Sequence, residues 1–431
     1  MSVTRLGTTT WRNQGIPFGI RDVDRLGHML VLGKTGVGKS TLLANIAISD
    51  MRAGHGLAVI DPHGALIEEV LLHHVPSHRV KDVIYLNPLD IERPVPFNPL
   101  DHVDPRYHHL VVSGVLSIMK KMWADSWGNR LEHILRYSLL TLLAYPGTTL
   151  LDVSRLLLHQ GFRQEVVGQV ASRDLRNFWR QEFDGYATMF RNEMSAPVLN
   201  KVGQFPVNPI LRSIVGQADN TFRMREVMDS GKILLVNLAR GRMGEDASQL
   251  LGAMIITRLW LAALSRQDVP EDKRRPFYLL VDEAHSLPGS FVEMLSETRK
   301  YKLGVTVAFQ YLDQLNEAFR AAIFGNVGTM MSFRTGAEDA ATMAREFNPI
   351  FREVDFVNLP KYTMVVKLLI DGVPSQGFSA QTLPLGGTLG ATKDEVVERS
   401  RNTYGRPQTQ NVSARTSKGQ GWGQRHNPSQ S

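Results

Sequence analysis

The stretch Gly33-Lys34-Thr35-Gly36-Val37-Gly38-Lys39-Ser40 constrains this chain more than any other, because its residue types and spacing are those of a loop that cradles a nucleoside triphosphate. Glycines at 33, 36 and 38 let the backbone turn tightly with its N–H groups aimed at phosphate oxygens. Lys39 supplies a point charge for the β- and γ-phosphates, Ser40 an oxygen for Mg2+, and Thr41 completes the loop. The surroundings agree: residues 29–32 read as a buried strand entering the loop and residues 40–46 as a helix leaving it. ATP and Mg2+ are therefore the expected ligands.

Further apolar runs bounded by turn residues occur at 57–60, 83–86, 233–236, 277–281, 305–309, 330–333 and 364–369. They read as strands buried on both faces, and the helical patterns between several of them predict an α/β fold with a mostly parallel sheet covered by helices. Between 104 and 217 the pattern changes to helical spacing, as at Leu131, Ile134, Leu135, Leu139 and Leu142. This predicts an inserted all-α domain that divides a nucleotide-binding domain into parts 1–103 and 218–385. The insert carries Trp123, Trp127, Phe178 and Trp179 near Lys120, Lys121, Arg130, Arg173 and Arg180. Such interleaving suits a grip on single-stranded nucleic acid, but core aromatics with solvated charges are the commoner cause. Residues 386–431 are rich in Gly, Ser, Thr, Gln, Asn and Arg, a composition that predicts a low-complexity, largely disordered tail, with disorder from Tyr404 onward.

The absence of cysteine excludes disulfides, cysteine-ligated zinc and thiol catalysis. A formal net charge of +7, from 49 Lys and Arg against 42 Asp and Glu, gives only a weak pull toward a polyanion. The longest apolar run, 250–264, is interrupted by Arg258 and keeps helical periodicity, so it is expected to be a core helix. The start of the chain lacks the apolar stretch of a signal peptide. The expectation is a cytoplasmic protein with no direct membrane insertion.

Residues 277–283, Phe-Tyr-Leu-Leu-Val-Asp-Glu, form an apolar strand that delivers two carboxylates at its C-terminal end. Beside a phosphate loop, Asp282 is expected to hold Mg2+, and Glu283 to orient or deprotonate the water that attacks the γ-phosphate. Gln310 closes the strand 305–309, where it can contact that phosphate or the water. Arg299, in Thr298-Arg299-Lys300-Tyr301, can reach a neighbouring subunit's phosphate, although spacing alone makes it a surface cation. Asp61-Pro62-His63-Gly64 follows the second strand, where loops line the crevice of an open α/β sheet; a helix-capping turn explains it equally well. His73-His74 and His108-His109 have no third ligand at metal-binding spacing and read as surface residues.

Residues 33–41, the run Val59-Ile60-Asp61-Pro62-His63-Gly64, residues 234–241, Leu280-Val281-Asp282-Glu283, Arg299-Lys300-Tyr301 and Gln310 together resemble the coupling-protein ATPases of conjugative type IV secretion. These belong with a broader group of hexameric DNA-pumping ATPases. The resemblance runs from about Gly19 to Pro384, and the motif order is its specific part. It implies a RecA-like P-loop NTPase domain, an all-α domain, and a homo-oligomeric ring, a hexamer, with ATP at subunit interfaces and DNA in the central channel. It also implies that Arg299 acts as a finger in trans, that Gln310 senses phosphate, and that relaxosome or type IV secretion components are partners. One departure stands out, since such proteins usually carry N-terminal transmembrane helices and only 32 residues precede Gly33 here. Two expectations match: a separate membrane protein recruits the chain to the inner membrane, or the chain works as a soluble translocase on a mobile element. The expected function is an ATP-hydrolysing ring motor that binds and translocates DNA. The alternatives are an ATPase that energises protein secretion and a nucleotide-gated scaffold that recruits relaxase-bound DNA.

Overall fold

Each apolar run read from the sequence forms a strand, and all of them join one sheet. The structure, a computed structural model, describes residues 3–10, 12, 14–287, 291–386 and 390–407. Its main sheet has eleven strands. These are β1 (Val3–Thr9), β2 (Pro17–Arg21), β3 (Met29–Leu32), β4 (Gly56–Asp61), β5 (Val83–Leu86) and β6 (Ile233–Asn237). They continue with β7 (Phe277–Val281), β8 (Leu303–Phe309), β9 (Thr329–Ser332), β10 (Thr363–Lys367) and β11 (Phe378–Thr382). The order across the sheet is β2-β1-β11-β10-β9-β3-β8-β7-β4-β6-β5. From β9 to β5 every pairing is parallel, and from β9 to β2 every pairing is antiparallel. The antiparallel flank includes β1, β2 and β11, which the apolar-run pattern missed. Those strands lie toward the sheet's edge and carry Thr, Arg, Gly and Gln, so they offer little continuous apolar signal.

Alternation along the parallel strands divides the core in two. Leu30, Leu32, Ala58, Ile60, Leu234 and Val236 point to one face, which packs against the helices His108–Met122, Asn129–Leu143, Thr188–Val202 and Glu245–Ser265. Met29, Val31, Leu57, Val59, Ile233 and Leu235 point to the other. There they meet Leu42, Leu43 and Ile46 of the helix Lys39–Ala53, which leaves the phosphate loop and is called here αP. The two faces follow from the two-residue period of a strand. The stretch Glu245–Asp268 is long and apolar enough to cross a membrane, yet most of it is buried in this core. Its Ala253, Ile255 and Leu259 have no exposed surface.

All regular elements described between 104 and 217 are helical, and their apolar residues run into the same core as the sheet face they cover. The aromatic residues there divide. Phe178 and Trp179 are buried, with Trp179 Nε1 donating to Thr141 Oγ1 at 2.8 Å and the Phe178 ring stacked on Tyr137 at 4.0 Å. They are core residues and offer no face for a base to stack on. Trp123 and Trp127 are half-buried, and Trp127 donates to Glu132 at 2.9 Å.

The expectation of a disordered tail from 386 needs correction. Lys393–Tyr404 is a helix, here αC, capped by Thr392, whose Oγ1 accepts from Glu395 N at 3.2 Å. Val396, Ser400 and Tyr404 recur every fourth residue and are buried, so average composition concealed a narrow apolar stripe. The stripe covers β5, the sheet's last strand, where Tyr85 N donates to Ser400 Oγ at 2.8 Å and protects an otherwise open edge. Tyr404 also packs edge-on against Phe222 and accepts from Thr221 Oγ1 at 2.7 Å, so disorder does not begin at Tyr404. Residues 387–389 and 408–431 of that expectation lie outside the described residues. A chain ending at residue 391 should melt several degrees below the full chain in a thermal circular-dichroism scan, because β5 loses its cover.

An ionic cluster ties the edge of the sheet that holds the N-terminal ends of the parallel strands. The buried Arg25 forks onto both oxygens of buried Asp50, donates to Thr4 Oγ1 at 2.9 Å, and lies 3.7 Å over the Tyr278 ring. His55 sits between Asp22 and Asp50, at 3.4 and 3.3 Å. Hydrogen bonds to Asp22 and then Asp50 push its imidazole up to about 9. A raised histidine stabilises fully below its unfolded value of about 6.5 and loses that contribution as pH rises through the folded one. Unfolding free energy from urea titrations should therefore fall by about 2 kcal/mol between pH 6.5 and 9.5. His55→Gln should flatten that slope.

Candidate nucleotide site

The site forms where the parallel strands end. β3 lies between β8 and β9, and matched register aligns Leu32 with Phe309 and Ser332. The chain then turns through Gly33, Gly36 and Gly38 at φ 155°, 74° and 123°, values in the left-handed half of backbone space that favour glycine. Neighbouring loops pin the turn: Gly33 N donates to Phe309 O at 3.2 Å, Lys34 N to Arg334 O at 2.9 Å, and Tyr362 N to Val37 O at 2.8 Å. A Cβ at Gly33 would lie 2.7 Å from Phe333 Cβ, and one at Gly38 would lie 2.9 Å from Tyr362 Cδ1. Lys34, Thr35, Gly36 and Ser40 are exposed, Thr41 is half-buried, and Val37 anchors the loop in the core.

Lys39 is buried, and its ammonium donates to Gly33 O at 2.7 Å and Lys34 O at 2.9 Å, inside the curl of the loop. Burial pushes its pKa down, and Asp282 and Glu283 oppose that shift. The Ser40 hydroxyl donates to Asp282 Oδ2 at 3.3 Å, so the two expected Mg2+ ligands face each other across the gap between αP and β7. The donor set is all oxygen, and together with a positive-φ cradle and a pre-placed ammonium it fits a triphosphate with its magnesium. Asp282 N is held by Ile60 O at 3.1 Å. Burial first, and then the charge of nearby Asp61, push the Asp282 carboxyl up to about 6.

Glu283 follows at φ 46°, an uncommon value for a residue with a side chain. Gln310 Nε2 donates to its Oε1, and His63 Nε2 lies 2.8 Å from its Oε2. Burial raises its pKa, but the hydrogen bond and charge of His63, with Gln310, carry it below the ordinary carboxylate range. The structure thus brings Lys39, Ser40, Asp282, Glu283 and Gln310 together, and Gln310 touches Glu283 directly. Arg299 is elsewhere. It is exposed in the turn before β8, at the opposite end of that seven-residue strand from Gln310, roughly 20 Å away. It cannot reach the phosphate loop of its own chain.

Asp61 proves to be a capping residue. Its oxygens accept from His63 N at 3.0 Å and Ile67 N at 3.2 Å, and burial pushes its pKa up. His63, left open by the sequence, is the additional member of the site. The signal was its position two residues beyond a strand end, but only the adjacency of β4 and β7 places it against Glu283. Behind it, Asn237 Nδ2 donates to Glu68 Oε1 at 2.9 Å, and Glu68 Oε2 pairs with Lys393 Nζ of αC at 3.0 Å.

The family model for the type IV secretion-system coupling protein DNA-binding domain matches residues 12–350. The chain belongs to this family. The matched span holds Lys39, Ser40, Asp61, His63, Asp282, Glu283 and Gln310, and β10, β11 and αC lie beyond it. Solved structures agree on the fold. The bacterial conjugative coupling protein TrwBdeltaN70, in an unbound form, aligns with TM-score 0.61 and 18% identity over 90% of this chain and 94% of that one. The plasmid coupling protein TrwB in complex with ADP and Mg2+ aligns with TM-score 0.60 and 18% identity over 92% and 98%. VirB4 of Thermoanaerobacter pseudethanolicus aligns with TM-score 0.56 and 14% identity over 89% and 96%. No curated protein sequence gives a match. At such identities the structures establish a shared fold, and membership rests on the family model.

In this coupling protein the loop glycines are the most direct test of the site. Gly38→Ala places a Cβ at a positive φ and against Tyr362, so it should cost about 1–3 kcal/mol of stability. Affinity for a fluorescent ATP analogue should drop at least tenfold by titration, about 1.4 kcal/mol.

Proposed function

We propose that this coupling protein is an ATP-hydrolysing motor that binds DNA and moves it, working as a ring with ATP between subunits. The observation that carries the reading is the convergence of Lys39, Ser40, Asp282, Glu283 and Gln310 at one sheet edge in a chain of this family. The family's DNA-binding domain supports DNA as the substrate that is moved, and the solved TrwB complex with ADP and Mg2+ supports the ligands. Secretion or relaxosome components that hand over the DNA are the matching partners.

The contacts support the following roles. Lys39 leaves the carbonyls of Gly33 and Lys34 for the β- and γ-phosphate oxygens and neutralises their charge. Ser40 and Asp282 would hold Mg2+, which supplies charge stabilisation at the transferring phosphoryl group. Glu283 orients the attacking water and draws its proton. Gln310 keeps the Glu283 carboxylate in place from β8, so a shift of β8 is felt at the attacking group. Arg299, remote from its own site, stabilises the transition state next door.

Lys39→Ala should weaken ATP binding, whereas Glu283→Gln should bind normally and lose hydrolysis. Arg299→Ala should lose roughly 10³-fold in turnover with its own ATP affinity intact. Mixing Arg299→Ala with Lys39→Ala should restore some hydrolysis, because one class of mixed interface has both an intact loop and an intact arginine. Nucleotide titrations check the binding outcomes, and steady-state ATPase rates with and without single- and double-stranded DNA check the rest. Normal hydrolysis by Glu283→Gln, or a rate indifferent to DNA, overturns the reading.

A further inference from the structure

The loop after β4 is held more rigidly than a capping turn requires. Asp61 accepts the N–H groups of His63 and Ile67. Gly64, at φ 87°, lies so close to Asn237 that a Cβ there would be 2.4 Å from the amide oxygen. The chain leaving β6 closes over the same loop, with Leu238 N donating to Asp61 O at 3.0 Å and Arg240 N to Pro62 O at 2.9 Å. The backbone of His63 is therefore fixed on both sides. Its side chain, 56% exposed, crosses to Glu283 Oε2, while Gln310 holds Oε1 from the other side. A glutamate side chain has three rotatable bonds, and a group that must face one water molecule within about half an ångström needs such support.

We infer that His63 is a positioning residue for Glu283, its imidazole N–H and the Gln310 amide clamping the carboxylate between two rigid loops. This rests on the reading of Glu283 as the group that orients water. The contact needs a proton on Nε2, which the imidazole donates to the carboxylate. Each carboxylate oxygen has two acceptor sites, so clamping one on each leaves the carboxylate able to accept from water. The clamp also joins β4 to β8 through β7, because its three members come from the ends of those three strands.

The test uses the full chain with Mg2+ and ATP. His63→Ala should lower kcat roughly tenfold or more while KM for ATP stays within about twofold, since the imidazole touches the base and not the nucleotide. His63→Gln, whose amide N–H can occupy the place of Nε2, should recover part of the rate. His63→Asn, too short to reach, should not. If His63→Ala melts early, the comparison of Gln with Asn decides the matter, and equal rates overturn the clamp. A readout independent of turnover is the ¹⁵N spectrum of the histidine rings in the nucleotide-free protein. His63 should carry a proton on Nε2, and Glu283→Gln should shift its signal. Unchanged or raised kcat in His63→Ala, a change in KM alone, or an imidazole signal indifferent to Glu283→Gln overturns the inference. If Glu283→Gln itself hydrolyses ATP normally, the proposed function falls instead.

Discussion

Parallel pairing of β4, β7, β8 and β3 in matched register is the constraint on which the rest of the structure depends. It aligns Ile60 with Val281, Val281 with Val307, and Leu32 with Phe309, so all four strands end at one edge. The loops that leave them carry Asp61 and His63, Asp282 and Glu283, Gln310, and the phosphate loop. These residues lie far apart along the chain, and no local interaction could gather them. The ladder does so because its strands are buried on both faces. A register slip of one residue would turn Leu30 and Leu32 from one core into the other. The same burial that stabilises the sheet thus sets the position of the site.

Burial also sets the electrostatics of that edge. Asp282 and Asp61 lie close together with little water, and the ionised form of Asp282 is disfavoured for both reasons. Lys39 answers them but is itself pushed down by burial, and its donors are occupied by two loop carbonyls rather than by a carboxylate. Opposite charges near each other without a direct ion pair are what a site for a dianionic or more highly charged ligand and a divalent cation requires. A closed Lys39–Asp282 pair would have to be broken before either could bind. Glu283 differs, being held below the ordinary carboxylate range by His63 and Gln310. The edge therefore places a carboxylate whose charge is destabilised by burial and by Asp61 beside one whose charge is stabilised by its hydrogen bonds.

The site's main residues were legible in the sequence because their chemistry is local. Glycines at set spacing can only make the loop they make, and an apolar run ending in Asp282-Glu283 has few other uses. Gln310 was legible for the same reason, as the polar end of a buried strand. His63 was not, because its meaning depends on β4 and β7 being neighbours, and parallel strands are joined by long crossovers that hide their order. Strands β1, β2 and β11 escaped notice because their Thr, Arg, Gly and Gln break up the apolar run that marks a strand buried on both faces. Helix αC escaped for a third reason. Its three buried residues, Val396, Ser400 and Tyr404, are diluted by nine others, so a composition average missed what a four-residue period would have shown.

The position of Arg299 carries the argument beyond a single chain. It belongs to the sheet edge where the parallel strands begin, and the phosphate loop belongs to the edge where they end, with the length of β8 between them. An arginine so placed serves a phosphate only if another copy presents its own loop edge to this chain's opposite edge. That contact joins two different surfaces, so it repeats from copy to copy, and it ends either in a closed ring or in an open filament. Gln310 and Arg299 flank the same strand, one at each end. Within the proposed reading, β8 links a subunit's own nucleotide, felt through Gln310 and Glu283, to the arginine offered to its neighbour. A small axial shift of one buried strand would then report hydrolysis in one site to the next, which is the coupling a ring needs in order to fire its sites in turn rather than at random.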